Sequence, residues 1–265
     1  MSATAASPPT TGGPIDPIQA TTTHPVARPL LTMRWELLSY VHWALDPATV
    51  QAVLPPGLTV DTFEGRAYVG LVPFRMGGIR VHPPGRSTSA VPLPQGTSPE
   101  TNVRTYVVGP DGGRGVHFDS LDVTRLAPTL VAQGGYRLPY AWSRMALGVR
   151  GDRRAYRSAR RWPAPRGAAS HLEVAVGPRL ADDEVTALDR FLTARWSLYA
   201  VTGRGTVLRA HVDHEPWPLH AAEVVHLRDE LVAAAGYGPL TSRSPDHVRA
   251  AEAVTVRVGA PRVVG

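Results

Sequence analysis

The chain has 265 residues, 43% of them hydrophobic, and a formal net charge of +6 to which Lys contributes nothing, because all 28 basic residues are Arg. Its length admits one sheet-rich domain or two small ones. The absence of Cys excludes disulfides, thiolate nucleophiles and Cys-ligated metals, and the absence of Lys excludes a Schiff base and a Walker-type phosphate loop.

The Arg residues are scattered. Even the densest run, "RGDRRAYRSARRW" at 150–162, reads as a hairpin with a solvated face, so compositional bias explains the charge better than a nucleic-acid surface does. Residues 1–31 are rich in Ser, Thr, Pro and Ala and predict a disordered tail without a secretory signal, followed by a single domain over 32–265. No stretch approaches the roughly 18 apolar residues of a membrane span, and a cytoplasmic location is expected.

In chain order, "MRWELLSYVHW" (33–43) suits a strand, although a helix face also fits. In "DPATVQAVLPPG" (46–57), Asp46 is an N-cap, Pro47 fits the first helical position, and Pro55-Pro56-Gly57 ends the helix. Residues 58–76 predict a hairpin turning at Glu64-Gly65, and 77–99 a long Gly-, Pro- and Ser-rich loop. "ETNVRTYVV" and "RGVHFDSLDV" flank the turn "GPDGG", which makes a second hairpin. A helix is expected over 126–133, then a strand pair turning at "RGD" and a strand "HLEVAVG". "ADDEVTALDRFLTARW" (181–196) reads as an amphipathic helix, and the chain then turns back on itself at Gly203–Gly205. The segment 219–236 predicts a last helix ending at Gly236, and "AVTVRVG" a closing strand. Antiparallel hairpins interrupted by a few helices, without a βαβ rhythm, argue a single α+β, mainly antiparallel β domain.

Six ordered runs carry a resemblance: "HWALDPATVQAVLPPGLTVDTFEGRAYVGLVPFRM", "PETNVRTYV", "GVHFDSLD", "LPY", "FLTARWSLY" and "HEPWPL". They are similar to the YqjF-like family of bacterial proteins of unassigned function, which is grouped with the acetoacetate decarboxylase-like superfamily. The resemblance implies a closed antiparallel barrel or cone with several packed helices around a small-molecule pocket. The superfamily's Schiff-base lysine would fall near "RLPYAWSRM", where Tyr140 and Ala141 follow Pro139 instead, so the decarboxylase mechanism does not carry over. It also implies that Glu100, in "PETNVRTYV", is a pocket carboxylate.

Strand spacing places Asn102 and Arg104 on the face of Glu100, so a carboxylate, an amide and a guanidinium stand side by side. Such a face either satisfies itself as an internal network or clamps an acidic ligand on Arg104 while Glu100 moves a proton. In "GVHFDSLDV", strict alternation puts Ser120 and Asp122 with Val116 and Phe118, as at a pocket mouth, whereas Asp119 stands where the family usually carries an aromatic. No nucleophile elbow accompanies Ser120.

"HVDHEPWPLH" (211–220) alternates His211, Asp213 and Glu215 against Val212 and His214. The first three would suffice for a divalent ion, but the two His fall on opposite faces, so a Glu215–Arg195 pair is the stronger expectation and no metal is assigned. Trp217, held between Pro216 and Pro218, is a core plug or a pocket wall. His42, Tyr106 and Tyr140 complete the candidates: Glu100 and Glu215 as catalytic, and Arg104, Asn102, His42, Tyr106, Asp122, Tyr140, Arg195 and Trp217 as ligand-binding. No cofactor is expected, and a homo-oligomer stays open. The preferred reading is lysine-independent acid/base chemistry on a small carbonyl or carboxylate compound. The alternative is a non-catalytic ligand-binding or accessory protein.

Overall fold

The structure, a computed structural model, describes residues 15–83, 90–93, 96–125 and 134–265. The strands are β1 (Leu31–Leu45), β2 (Thr59–Val60), β3 (Ala67–Val81), β4 (Val91–Pro92), β5 (Ser98–Val108), β6 (Arg114–Val123), β7 (Tyr140–Arg150), β8 (Arg153–Trp162), β9 (Ala169–Arg179), β10 (Ser197–Val201), β11 (Val207–Asp213), β12 (Leu219–Asp229), β13 (His247–Val258) and β14 (Arg262–Val263). Two short α-helices interrupt them among the described residues, α1 (Pro47–Gln51) and α2 (Ala187–Thr193). Except where β6 lies parallel to β7 and β10, the pairings are antiparallel.

All the strands belong to one sheet that closes on itself twice. One circuit runs β6-β7-β8-β9-β12-β13-β1-β3-β5 and returns to β6. The other leaves β6 through β10 and β11 and rejoins at β13. Strands β13, β1, β3, β5 and β6 therefore form a wall between two interiors, each filled by its own apolar cluster.

A wall strand buried on both faces shows no amphipathic pattern to solvent. Along β5, Tyr106 packs in the first cluster and Val103 in the second, as period-two alternation requires. Two irregularities keep the first interior continuous. Leu37, at φ 52, interrupts β1, so Leu31 and Met33 before it and Leu38 and Tyr40 after it reach the same cluster. In β6 the register against β5 shifts by one residue between Phe118 and Ser120, leaving Asp119 as the extra residue. Val116, Phe118, Leu121 and Val123 consequently share one cluster, and Ser120 and Asp122 turn to the other side.

Several expectations need correction. The segment 219–236 is mostly strand β12, because its residues 220–229 pair with β9; Val224 and Val225 suit a ladder that only the tertiary neighbours supply. Helix α2 is shorter than its amphipathic run, since the capping box of Thr186 and Asp189 starts it late. Glu64 and Gly65 do turn the chain, at φ 50 and 74, but only Phe63 and Arg66 bridge across them, and β2 pairs with β5 instead of β3. Of the expected tail, residues 15–30 lie along the domain: Asp16 donates its amide to Gly112, and Trp196 donates its indole N–H to Gln19. Residues 1–14 and the helix expected over 126–133 lie outside the described residues.

Gly115 of β6 lets β10 approach. A Cβ there would meet the Ser197 carbonyl at 2.6 Å and the Tyr199 ring at 2.8 Å. Gly115→Ala is expected to destabilise the fold by about 1–3 kcal/mol, through overpacking against backbone that cannot retreat. Urea denaturation followed by circular dichroism checks this, and an unchanged midpoint would contradict it.

Candidate functional site

The first interior is not completely filled. A cavity of about 60 Å³ remains, with Glu100, Asn102 and Arg104 of β5 on one wall and apolar side chains such as Met33, Phe118 and Leu198 around them. That volume holds several waters or a compound of a few heavy atoms, since one water needs roughly 10–15 Å³. Thr193, Arg195, Ser197 and His214 add polar groups to the lining, and Trp35, Tyr136, Tyr140 and Trp217 add aromatic ones. Thr193 and Trp217 also bound an outer cleft of about 340 Å³, so the Trp217 side chain stands between the cavity and the outside.

Among the described residues, five buried polar atoms on side chains of this lining have no hydrogen-bond partner: Trp35 Nε1, Glu100 Oε2, Asn102 Oδ1, Arg104 Nε and Arg195 Nη2. Buried polar groups are ordinarily satisfied, and each failure costs about 1–3 kcal/mol.

The two guanidiniums differ. Arg195 donates through Nη1 to Asp61 Oδ2 at 2.6 Å and through Nε to the Phe191 carbonyl at 2.6 Å, leaving Nη2 over. Asp61 is held in turn by Arg114, at 2.7 and 2.8 Å. Arg104 has no carboxylate partner among the described residues. Its Nη2 donates to the Leu192 carbonyl and the Tyr106 hydroxyl at 3.0 and 3.1 Å, and its charge lies over the Tyr40 and Tyr106 rings.

Two further groups have environments that oppose ionisation. Burial pushes Glu100 up to about 8; a hydrogen bond from Asn102 offsets part of this and the negative charge of Asp122 adds to it. Glu100 is therefore a neutral acid at pH 7, able to donate a proton. Burial pulls His214 down to about 4, against a hydrogen bond to the Glu215 carbonyl. Because a carbonyl only accepts, Nδ1 of His214 carries the proton at that 2.7 Å contact and Nε2 is left with a lone pair. Tyr140 is held well above its ordinary range by burial and then by Glu100, and stays a phenol.

Of the residues expected from the sequence, Glu100, Asn102, Arg104, Tyr140, Arg195 and Trp217 come together on the cavity. Tyr106 and His42 lie directly behind Arg104, hydrogen-bonded to each other at 2.7 Å. Asp122 is displaced by the β6 bulge into the second interior, where Arg160 holds both its oxygens at 3.0 and 2.6 Å. Glu215 is exposed and does not meet Arg195, whose partner is Asp61. Asp213 accepts the Val26 amide at 3.1 Å, and His211 stacks on His24. Among the described residues, no group of three or more His, Asp or Glu is placed to hold a metal ion.

Sequence reasoning missed His214 and Asp61. For His214 a signal existed: it alternates with apolar Val212, and that face points inward, whereas the more polar face of His211, Asp213 and Glu215 points out. Asp61 had none, because it stands 134 residues from Arg195.

A family model described as DUF2071, uncharacterized conserved protein, matches residues 32–255. The chain is 30% identical over 194 residues to the uncharacterized protein YqjF of Bacillus subtilis (strain 168), covering 73% of this chain and 76% of that one. Similar solved structures include an acetoacetate decarboxylase-like enzyme from Sphingomonas wittichii RW1, with 12% identity, TM-score 0.59 and coverage of 92% of this chain and 96% of that chain. Acetoacetate decarboxylase from Legionella pneumophila follows at 14% identity and TM-score 0.58, over 90% and 88% of the two chains. The enduracididine biosynthesis enzyme MppR complexed with pyruvate has 13% identity and TM-score 0.56, over 90% and 91%. At these identities the likeness is one of fold. Among the described residues, no helix is long and apolar enough to cross a membrane.

Asp61→Asn is expected to cost about 3 kcal/mol, because it leaves the buried Arg195 charge with a neutral partner; chemical denaturation measures it. Glu100 sets a pH dependence of its own. Its ordinary value is 4.5 and its folded value about 8, so the folded chain keeps a proton that the unfolded chain releases. Stability falls between those values as pH rises, with a limiting slope of about 1.4 kcal/mol per pH unit. Glu100→Gln should flatten the profile there, and urea midpoints from pH 5 to 8 for both proteins check it.

Proposed function

The chain belongs to DUF2071, a family of uncharacterized conserved proteins, and on that premise we propose that its inner cavity binds a small carboxylate bearing a carbonyl group. Arg104 takes the carboxylate, assisted by the spare N–H of Arg195. The neutral Glu100 acid donates a hydrogen bond to the carbonyl, and the lone pair of His214 Nε2 is the available base. The observation that carries this reading is the convergence, among the described residues, of five unpartnered polar atoms on one cavity where the Arg104 guanidinium has no carboxylate beside it. Environments that keep a carboxyl protonated and an imidazole neutral at the same pH make a donor and acceptor pair suited to proton transfer beside a carbonyl.

Chemistry of this kind proceeds without an amine nucleophile, as a chain without Lys demands. The same absence favours a second reading, in which the cavity holds its ligand without turning it over.

Pyruvate, glyoxylate and acetoacetate form a suitable first panel; pyruvate is included because MppR, a protein of similar fold, is known in complex with it. Isothermal titration should detect binding of at least one member, weakened by about 10-fold or more in Arg104→Met, the loss of a charge-assisted contact. No heat with any member, or equal affinity in the variant, would sink the carboxylate assignment. Proton NMR in D₂O separates the two readings. Exchange of the pyruvate methyl protons that is lost in Glu100→Gln and His214→Gln supports proton transfer, and binding without exchange supports the binder.

A further inference from the structure

Behind Arg104, away from the cavity, four ionisable side chains from four elements form one continuous hydrogen-bonded line. Tyr106 of β5 receives Arg104 Nη2 at 3.1 Å and meets His42 Nε2 at 2.7 Å. His42 Nδ1 of β1 faces His247 Nδ1 of β13 at 3.1 Å, and His247 Nε2 reaches Asp189 Oδ1 of α2 at 2.7 Å. Asp189 and His42 are fully buried and His247 is 7% exposed.

The line is built in. On β3, Gly70 leaves the space that the His42 ring occupies, since a Cβ there would lie 2.8 Å from His42 Cδ2. At the far end Asp189 also accepts from the amide and hydroxyl of Thr186, at 2.9 and 2.7 Å, and from Arg249. Burial works against its ionisation, but the His247, Thr186 and Arg249 contacts hold it well below the usual carboxylate range. It is a fixed acceptor.

Donor and acceptor accounting leaves this line two complete arrangements. In the first, both imidazoles are neutral: Tyr106 O–H donates to His42 Nε2, His42 Nδ1–H to His247 Nδ1, and His247 Nε2–H to Asp189. In the second, one more proton is present. His247 is an imidazolium donating to both Asp189 and His42, His42 Nε2–H donates to the Tyr106 oxygen, and the Tyr106 hydroxyl turns to the Leu192 carbonyl, which lies 2.9 Å away. Every hydrogen bond of the line survives the change: donation reverses between Tyr106 and His42 and between His42 and His247, His247 still donates to Asp189, and the Tyr106 hydroxyl gains the Leu192 carbonyl.

Burial pulls His42 well below the ordinary imidazole range, and the neighbouring His247 and then Arg104 add to this. Of the charges around the pair, Asp189 favours the added proton, and Arg104 opposes it, as does Arg249 beside Asp189. Tyr40 stacks on His42 and Tyr106 touches it, while Asp246 binds its carboxylate to the Ala44 amide and Arg243. An anion on Arg104 cancels the main opposing charge on the cavity side.

We propose that Tyr106, His42, His247 and Asp189 are a positioning relay for Arg104, which takes up one proton from solvent when the charge of Arg104 is neutralised by a bound anion. The anion arm rests on the carboxylate reading above; the relay itself does not, because removing the Arg104 charge by mutation has the same effect as pairing it.

Nitrogen-15 histidine NMR on the full chain tests this, with His42 and His247 assigned through their Gln variants. In ligand-free Arg104→Met the titration midpoint of the pair should rise by about one pH unit, the usual scale for a charge within two hydrogen bonds. In Tyr106→Phe, which keeps Arg104 and the ring, it should fall: the neutral arrangement then leaves a bare His42 Nε2 lone pair, whereas the protonated one orphans a buried N–H, the costlier loss. Pyruvate added to the unsubstituted protein should move it upward as Arg104→Met does. A midpoint that stays put in both variants while their spectra remain those of a folded chain overturns the relay. A shift in Arg104→Met without any response to pyruvate or to the other panel acids upholds the relay and removes the carboxylate reading. If Arg104→Met does not fold, Tyr106→Phe alone decides: an unmoved midpoint overturns the relay.

Discussion

Strand β5 has no face toward water. It stands in the wall between two closed interiors, so its polar side chains, of which Arg104 alone among the charged and amide groups is partly exposed, depend on partners inside the protein. On the side of the second interior that demand is met: Thr105 donates to the Tyr68 carbonyl at 2.9 Å, and on neighbouring β6 the Asp122 carboxylate is fully occupied by Arg160 and Ser143. On the cavity side it is not. Glu100, Asn102 and Arg104 each keep an unpaired atom there. The rest of the candidate site follows from this imbalance, because burial in the same interior also opposes ionisation of Glu100 and of His214.

The two buried charge systems around the cavity divide the work. Asp61 sits between Arg195 and Arg114, one negative charge shared by two positive ones, and ties β6 to the segment just after α2, which is a structural use of ionic pairing. Among the described residues, Arg104 receives dipoles and aromatic faces: a carbonyl, a phenol and two rings. A cation solvated this way keeps its orientation while its charge stays available. Trp217, with its indole parallel to Trp35 and its edge toward Tyr40, closes the same space from the side of the outer cleft.

The legibility of the site follows the range of each interaction. Glu100, Asn102 and Arg104 could be grouped because a strand repeats every two residues, and β5 is regular against β3 throughout. Asp122 could not be placed, because a single bulge at Asp119 reverses everything after it, and nothing in "HFDSLD" announces a bulge. Glu215 was drawn to Arg195 by shared membership of conspicuous runs, yet proximity in a motif carries no information about partners across a sheet. The helix expected over 219–236 failed for a related reason, since short apolar runs suit either period and the strands β9 and β13 on either side made the choice.

By itself, then, the sequence determined the mainly antiparallel class, most hairpin turns, the capped start of α1, the polar stripe of β5, and the exclusion of lysine and cysteine chemistry. These depend on local propensity, periodicity and composition. Only the tertiary structure decided that the sheet closes twice, that Asp61 rather than Glu215 neutralises Arg195, that His214 faces inward, and that His42 meets His247 across 205 residues. Each of these is a contact between segments remote in the chain, fixed by strand register and ring closure, and no property of either segment alone specifies its partner.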